Sequence, residues 1–333
     1  MKFKLLSLIA IILFTGCSTR SYFEPKKNVK NPIIIKSELN SPIINITKNI
    51  ATLKNGETIP KTTKLPKGFI ALDKNLAIKG YILRVNNKNI TFKKLIATAK
   101  KNNNLIAIVF GDNSFGLFDL NQNKLISTYN FGPSLANRKF IAQPVFYKDL
   151  ILVPSLNGKV GIYDKTKTQM LREIIVSKKD YFNNIIYLGV KNDNLIMASR
   201  DEIKVITPMM PVSSKSYNIR HILVGNKYIY IFTLSGEIKK LNFLLKDVKN
   251  INFKYAIILA PTIYNNKIYF LSRGNNSYLI KLNKDFSNYE IYPIENIDNQ
   301  IYSDKQLSPT YLKQNIFANN GKYYIGNLYF KIK

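Results

Sequence analysis

The chain has no tryptophan, one histidine and one cysteine among its 333 residues. Metal sites built from His and Cys side chains need several such ligands, so a site of that kind is excluded. One cysteine cannot form an intramolecular disulfide. A Ser-His-Asp triad would have to use His221, which lies at the expected entrance of a repeat unit and is interpreted as a packing or rim residue.

Glycine-rich phosphate loops are also missing from the sequence. Two carboxylates that converge in space could still cleave a glycosidic bond, and the sequence leaves that alternative open. From the residues alone we expect a protein that is not an enzyme and that holds no cofactor and no metal.

The first 16 residues form an export signal. A basic start is followed by an apolar run over residues 5–14, which is too short for the roughly 20 residues that a membrane span needs. Small residues then lead to Gly16 and Cys17. This order is typical of a secretory signal, and we expect residues 1–16 to be a signal peptide that is cleaved between Gly16 and Cys17.

Residues 13–17, Leu-Phe-Thr-Gly-Cys, resemble the lipobox of bacterial lipoproteins, with Phe14 where that family usually has Leu. The resemblance implies a diacylglycerol on the Cys17 sulfur and a further acyl chain, such as palmitate, on the new amine. Acyl chains anchor a protein without a membrane-spanning helix. By resemblance to the sorting of enterobacterial lipoproteins, Ser18 after the cysteine implies the outer membrane, and we expect the protein to face the periplasm. The alternative is an ordinary signal peptide with a chance cysteine or a free buried thiol.

The net charge of +30 comes from 50 Lys and Arg against 20 Asp and Glu. A basic excess of this size usually indicates a nucleic-acid partner. An exported lipoprotein meets no chromosome, so no nucleic-acid partner is expected. Anionic lipid, anionic glycan or acidic protein surfaces are the available partners. Only seven of the 50 basic residues are Arg, and a generally basic, solvated surface remains the alternative.

Short runs of Ile, Val, Leu, Tyr and Phe alternate with Asn-Gly and Asn-Lys turns, which indicates strands and tight hairpins. A unit recurs in which a Pro-led strand, a turn, an apolar strand and an Asn/Ser-Gly hairpin follow one another. It is clear at 143–176 and 260–294 and weaker at 102–131, 224–253 and 308–330. Units of about 40–50 residues with four strands are typical of a β-propeller. A β-sandwich pair or a β-helix is the alternative.

We therefore predict an all-β chain: a lipidated tether over residues 17–42 and a propeller of about seven blades over 43–333, with six or eight blades possible. The last unit ends soon after its third strand, near Lys333. An open edge strand is a pairing hazard, so we expect an N-terminal strand, from residues 32–35 or 43–46, to close the ring.

The repeat resembles the pyrroloquinoline-quinone-like propeller repeat, and a lipoprotein that carries it resembles the BamB family of outer-membrane accessory lipoproteins. That family's repeat usually has a Trp that packs between blades; Tyr129, Ile174 and Tyr289 lie in the corresponding places here. Quinoprotein dehydrogenases share the fold, but the Trp and cysteine pair of their sites are missing, so that activity is rejected.

The resemblance implies a scaffold that binds the outer-membrane β-barrel assembly machinery. The alternative is a surface or periplasmic binding module, such as an adhesin or a contact to anionic glycan or lipid. A basic patch confined to one rim would favour the binding module, and an apolar groove between blades would favour the scaffold. Clustered carboxylates in the central funnel would instead favour a hydrolase.

Overall fold

The computed structural model describes residues 21–135, 141–179, 181, 183–273, 276–296 and 315–332. In these ranges the chain forms 32 β-strands arranged in eight sheets. No helix in the described ranges is long and apolar enough to cross a bilayer. Gly16 and Cys17 lie outside the described residues, so signal cleavage and lipidation stay predictions.

Each sheet is one blade of a ring. Two short strands precede the first blade: β1 (Ile33–Ile35) and β2 (Ser37–Glu38). Blade 1 has three strands: β3 (Ile43–Thr47), β4 (Ile50–Leu53) and β5 (Thr58–Ile59). Blade 2 comprises β6 (Ile70–Asp73), β7 (Leu76–Lys79), β8 (Ile82–Val85) and β9 (Lys88–Thr91). Blade 3 comprises β10 (Ile96–Asn102), β11 (Leu105–Phe110), β12 (Ser114–Asp119) and β13 (Lys124–Asn130).

Blades 4 to 7 repeat the four-stranded antiparallel order, and blade 8 contributes three consecutive strands. Blade 4 comprises β14 (Val145–Tyr147), β15 (Leu150–Pro154), β16 (Lys159–Asp164) and β17 (Gln169–Ile175). Blade 5 comprises β18 (Tyr187–Lys191), β19 (Asn194–Ala198), β20 (Glu202–Ile206) and β21 (Ser213–Ser216). Blade 6 comprises β22 (Ile219–Val224), β23 (Ile229–Thr233), β24 (Glu237–Leu241) and β25 (Asp247–Asn252). Blade 7 comprises β26 (Ile257–Tyr264), β27 (Lys267–Arg273), β28 (Ser277–Asn283) and β29 (Tyr289–Asn296). Blade 8 comprises β30 (Ile316–Asn319), β31 (Lys322–Ile325) and β32 (Leu328–Lys331).

The first strand of each blade faces the axis of the ring. First strands of successive blades touch, as β22 touches β26 and β26 touches β30, and β3 touches β30 where the ring closes. Fourth strands such as β13 and β25 are the most exposed. The all-β propeller is therefore confirmed. Its eight blades are one more than the expected number and within the stated range, because residues 43–59 form a three-stranded blade and residues 70–91 a four-stranded one.

Hydrophobic clusters between neighbouring blades hold the ring together. Phe115 of blade 3 packs edge-on against Tyr163 of blade 4, with ring centroids 5.1 Å apart, and both side chains are fully buried. Blades 1 and 2 are joined by hydrogen bonds as well: Ala71 N donates to Thr52 Oγ1 at 2.9 Å. A single blade cannot bury both faces, so stability depends on these contacts between units.

The residues that stand where the family repeat has Trp do pack between blades. Tyr129 joins the cluster between blades 3 and 4, and its hydroxyl donates to Glu173 Oε1 at 3.1 Å. Ile174 packs between blades 4 and 5, and Tyr289 packs edge-on against Phe253 between blades 6 and 7. The ring thus fills the same gaps with smaller side chains.

The Asn/Ser-Gly hairpin has a structural reason. Gly158 has φ +80°, and a Cβ there would lie 2.6 Å from the carbonyl oxygen of Ser177. Gly236 repeats this arrangement with φ +88° and Phe253, whose N–H donates to the Gly236 carbonyl at 3.0 Å. Only glycine tolerates both the left-handed backbone and the close approach. The motif therefore belongs to blade construction rather than to chemistry.

An N-terminal strand does close the ring, but neither of the two expected segments supplies the missing strand. β2 pairs antiparallel with β32 and completes blade 8, with Ser37 opposite Tyr329. β1, within the first candidate segment, adds in parallel to the outer edge of blade 7. The second candidate segment is the innermost strand of blade 1. Ile316–Asn319 is the first strand of blade 8, and the third strand, β32, ends at Lys331.

The predicted tether boundary at residue 42 is also too far along the chain. Phe23 is 7% exposed and inserts between blades 6 and 7, where it packs edge-on against Phe253 and Tyr278. Lys30 N then donates to the Ile291 carbonyl at 2.8 Å. These apolar and backbone contacts bind residues 23–38 to the propeller, so this segment, called here the N-terminal strap, is part of the folded body.

Candidate protein-binding surface

The two flat faces of the ring differ in how their charged residues are arranged. Antiparallel order puts the second-to-third hairpins and the connections between blades on one face, called here the connection face; the other hairpins form the hairpin face. Basic residues dominate the described loops of the connection face: Lys54, Lys61, Lys64, Lys67, Lys93, Lys94, Lys178, Lys179, Arg200 and Lys254. The acidic residues of the same loops are Glu57, Asp112 and Asp201.

Two of these three acids are already neutralised. Asp112 pairs with Lys94 at 2.7 Å, and Asp201 lies 3.7 Å from the Lys179 ammonium. On the hairpin face, by contrast, acids alternate with lysines at or beside the turns: Asp119, Asp149, Asp164, Asp193 and Asp285. Lysines of the hairpin-face turns (Lys48, Lys74, Lys148, Lys165, Lys167, Lys227, Lys246 and Lys284) outnumber these acids, so both faces are basic. The connection face differs in that several of its lysines cluster in one stretch, residues 61–67.

Five exposed lysines of blades 1 to 3 form what we call the lysine patch: Lys54, Lys61, Lys64, Lys67 and Lys93. Most of them project from the connection between β5 and β6. That connection is anchored in its middle and at its end, because Leu65 N donates to the Gly56 carbonyl at 2.9 Å and Phe69 is 5% exposed. An anchored loop presents its ammonium groups with less loss of entropy on binding than a free chain would.

A groove of about 630 Å³ opens beside the patch, between the outer strands of blades 2 and 3. Its floor is aromatic: the Phe92 ring lies 5.7 Å from Phe110 and 5.5 Å from Phe118, measured between centroids. Leu125, 37% exposed, forms one wall. Lys93, Lys94 and Lys124 line its rim. An apolar floor with a charged rim is typical of a surface that receives a protein side chain or an extended segment.

The central channel is bridged by side chains. The Lys48 ammonium of blade 1 lies 5.6 Å from the Tyr187 ring centroid of blade 5. Gln143 Nε2, at the entrance of blade 4, donates to the Leu72 carbonyl of blade 2 at 2.8 Å. Burial lowers the pKa of Lys48, followed by repulsion from Lys100, and burial raises the pKa of Tyr187 to about 12.

His221 lies on β22 and packs between blades. Its imidazole is hydrogen-bonded to the backbone of Ile258 on β26, and burial, followed by the charges of Arg220 and Arg200, lowers its pKa to about 4. It is therefore neutral at pH 7, in a position that suits packing. In the described part of the chain, no three His, Cys, Asp or Glu side chains group together as metal ligands would.

Sequence reasoning anticipated the basic excess but not where it lies, and it found no binding residue. The three floor phenylalanines occur on two blades, and nothing in their local sequence distinguishes them from core residues. The signal available beforehand was the lysine density over residues 61–67. Cys17 and Gly16, the predicted site residues, lie outside the described residues.

The fold defines the class: the chain is an all-β, BamB-like β-propeller. BamB from Moraxella catarrhalis superposes with a TM-score of 0.57 at 11% identity, covering 93% of this chain and 98% of that one. The C-terminal WD40 domain of Sif2 superposes with a TM-score of 0.62 at 13% identity, covering 91% of this chain and 99% of that one. The designed Ika8 protein superposes with a TM-score of 0.58 at 10% identity, covering 92% of this chain and 100% of that one. These identities show the fold alone.

In sequence, the chain is similar to two proteins named plasminogen-binding protein PgbB, from Helicobacter pylori strains J99 and 26695. Each is 25% identical over an alignment of 389 residues that covers 98% of this chain and 70% of the relative. No family model matches the chain.

Proposed function

We propose that this chain is a lipid-anchored protein of the bacterial outer membrane whose propeller is a non-catalytic binding module for plasminogen. In this proposal lipid on Cys17 holds the protein in the membrane, and the lysine patch with the adjoining groove contacts the partner. The propeller would then be exposed at the cell surface rather than in the periplasm.

The observation that carries the proposal is the similarity to the plasminogen-binding PgbB proteins along nearly the whole chain. The lysine patch supports it, because a local cluster of like charge raises the potential at one place above that of a generally basic surface. Electrostatic contacts of this kind raise association rates and weaken with salt.

The first test measures plasminogen binding to the full chain, purified in detergent and immobilised for surface plasmon resonance. The variant Lys61→Glu/Lys64→Glu/Lys67→Glu reverses three charges of the lysine patch. The control Lys88→Glu/Lys167→Glu/Lys227→Glu makes the same change in net charge on the hairpin face, where these lysines are also exposed. Exposed charge pairs contribute roughly 0.2–1 kcal/mol each.

We expect the patch variant to bind about 10-fold or more weakly and the control to bind nearly as the unmodified chain does. Binding of the unmodified chain should weaken as the salt concentration rises. Free lysine should weaken it as well, because it would compete with the lysine patch for acidic groups of plasminogen. An equal loss in both variants would make the patch irrelevant. No binding by the unmodified, folded chain would refute the proposal.

The groove is tested separately. Leu125→Glu places a charge against the aromatic floor, whereas Leu171→Glu changes a 47%-exposed leucine on the outer strand of blade 4. If the groove receives a partner side chain, Leu125→Glu alone should weaken binding, because a carboxylate would have to be desolvated. If Leu125→Glu and Leu171→Glu bind plasminogen with equal affinity, the groove is not part of the plasminogen contact.

The groove favours a second candidate function, an accessory scaffold in outer-membrane β-barrel assembly. It lies beside the exposed edge of β9, and such an edge can accept an added strand from an extended partner. Crosslinked affinity purification from the envelope, read by mass spectrometry, separates the two functions. Recovery of the barrel-assembly core protein with its lipoproteins would support the scaffold. Recovery of host or glycan material without that core would contradict it.

A further inference from the structure

Arginines of three successive blades meet where the central channel opens on the connection face. Arg200 lies in the second-to-third hairpin of blade 5, Arg220 near the start of β22 in blade 6, and Arg273 at the end of β27 in blade 7. The backbone fixes their proximity: Ile219 N donates to the Arg200 carbonyl at 2.7 Å, and Ile257, on the strand next to β22, pairs with Arg273.

A β-bulge turns Arg220 out of the ladder. Ile219 and His221 pair with adjacent residues of β23, so Arg220 is the extra residue between them. The same bulge occurs in the first strands of blades 1 and 3, where the extra residues are Ile44 and Ala97. Bulges re-aim a side chain, and the fold accepts apolar residues at this position. The construction of the blade therefore does not require an arginine.

Arg220 lies in electrostatically unfavourable surroundings. All three side chains are half-buried, and the Arg220 Nε atom is buried without a hydrogen-bond partner in the described part of the chain. Burial lowers the pKa of Arg220, as do the charges of Arg200 and Arg273. Three guanidinium groups in low-dielectric surroundings repel one another unless an anion lies between them.

The nearby carboxylate of Asp201 has other partners. It accepts hydrogen bonds from the hydroxyls of Ser177 at 2.9 Å and Ser199 at 2.6 Å, and it faces the Lys179 ammonium. The Arg273 guanidinium makes no hydrogen bond or ion pair within the described ranges. Within the described ranges no carboxylate therefore pairs with Arg220 or Arg273, and an anionic ligand would supply the opposite charge.

We propose that Arg200, Arg220 and Arg273 form a binding site for a tetrahedral oxyanion, a phosphate or sulfate group, at the connection-face mouth of the channel. The planar guanidinium donates two parallel hydrogen bonds to such a group, which an ammonium cannot do. The three arginines come from three successive blades, so each could donate to a different oxygen of one tetrahedral group. The Nε–H of Arg220 supplies a donor that is otherwise unused.

The test uses isothermal titration calorimetry of the full chain in detergent with inorganic phosphate and with sulfate, in chloride buffer at constant ionic strength. Arg220→Leu removes the central guanidinium at a position that takes Ile or Ala in other blades. Arg273→Gln is the second variant. Arg172→Gln is the control, because Arg172 is exposed on the outer strand of blade 4.

We expect saturable binding to the unmodified chain and to Arg172→Gln, and at least about a tenfold loss of affinity in each site variant. In chloride alone, Arg220→Leu should raise the melting temperature by about 2–4 °C, because it relieves repulsion. Absence of binding to the unmodified chain, or equal binding by Arg220→Leu, would overturn the site. A lower melting temperature of Arg220→Leu with unchanged phosphate affinity would do so as well.

The source of the anion is distinguished with vesicles. If vesicles that contain phosphatidic acid bind the chain and inorganic phosphate displaces them, the ligand is a lipid headgroup. If inorganic phosphate binds and the vesicles do not compete with it, the ligand is a small free anion. Neither result depends on plasminogen binding, so the site and the proposed function can fail independently.

Discussion

Replacing Ile35 by Ala tests whether the N-terminal strap holds the ring closed. Ile35 is the last residue of β1, is 1% exposed, and packs in the cluster between blades 7 and 8. Removing a fully buried isoleucine loses its transfer free energy and leaves a cavity, and such changes cost about 2–5 kcal/mol. The strap is narrow and can move into part of the cavity. We therefore expect a loss of unfolding free energy near the lower end of this range, about 2–3 kcal/mol.

The control is the neighbouring residue. Ile34 is 46% exposed because the side chains of a strand alternate, so Ile34→Ala should change stability by less than about 0.5 kcal/mol. Urea denaturation followed by far-ultraviolet circular dichroism gives the two free energies. Native-state hydrogen exchange should show faster exchange in β31 and β32 for Ile35→Ala, because these strands lose the support of the strap.

Equal destabilisation by the two substitutions would refute the reasoning, since it would mean that the strap does not hold one face against the ring. So would a large loss of stability without faster exchange in blade 8. In that case Ile35 would contribute to the core of blade 7 alone, and the ring would close without the strap.

Three further predictions concern single residues. Gly158→Ala should destabilise the chain by at least about 1–2 kcal/mol in urea denaturation, because a Cβ would meet the Ser177 carbonyl in a left-handed backbone; an unchanged midpoint would contradict this account. The pKa of His221 is lowered to about 4, so between pH 6.5 and 4 the unfolded chain takes up a proton that the folded chain does not. Stability should therefore fall across that window by up to about 3 kcal/mol, and His221→Asn should remove the dependence. Cys17→Ser should abolish labelling by palmitate and move the protein to the soluble fraction; a membrane-bound variant would disprove the lipid anchor.

Blades 4 and 7 could be predicted clearly from the sequence, and blades 3, 6 and 8 more weakly, because their turns and strands leave local signals. A glycine hairpin such as that at Gly158 is required by a backbone contact, so it recurs with the period of the blade. The strap leaves no such signal: β2 has two residues, too few to show alternation, and its partner lies at the other end of the chain. Blade 1 was hard to recognise because its third strand is only Thr58–Ile59.

The candidate surface could be predicted only in part. Net charge and the lysines of residues 61–67 are visible in the sequence, but the face on which they lie depends on the direction of every strand. The groove joins Phe92 to Phe118 across two blades, and the arginine cluster joins residues from three. Contacts between residues so far apart along the chain follow from the ring and not from local periodicity.

With lipid on Cys17, the N-terminal segment would also set the orientation of the ring relative to the membrane. Ser21, hydrogen-bonded to Tyr255 beside blades 6 and 7, is four residues after Cys17, and four extended residues span at most about 14 Å. With lipid on Cys17 as proposed, the edge of the ring at blades 6 and 7 would lie close to the bilayer surface. The groove between blades 2 and 3 is four blades further round the eight-bladed circle, on the diametrically opposite edge. If the plane of the ring is perpendicular to the membrane, with blades 6 and 7 next to the bilayer, the groove and the lysine patch lie at the greatest distance from the lipid.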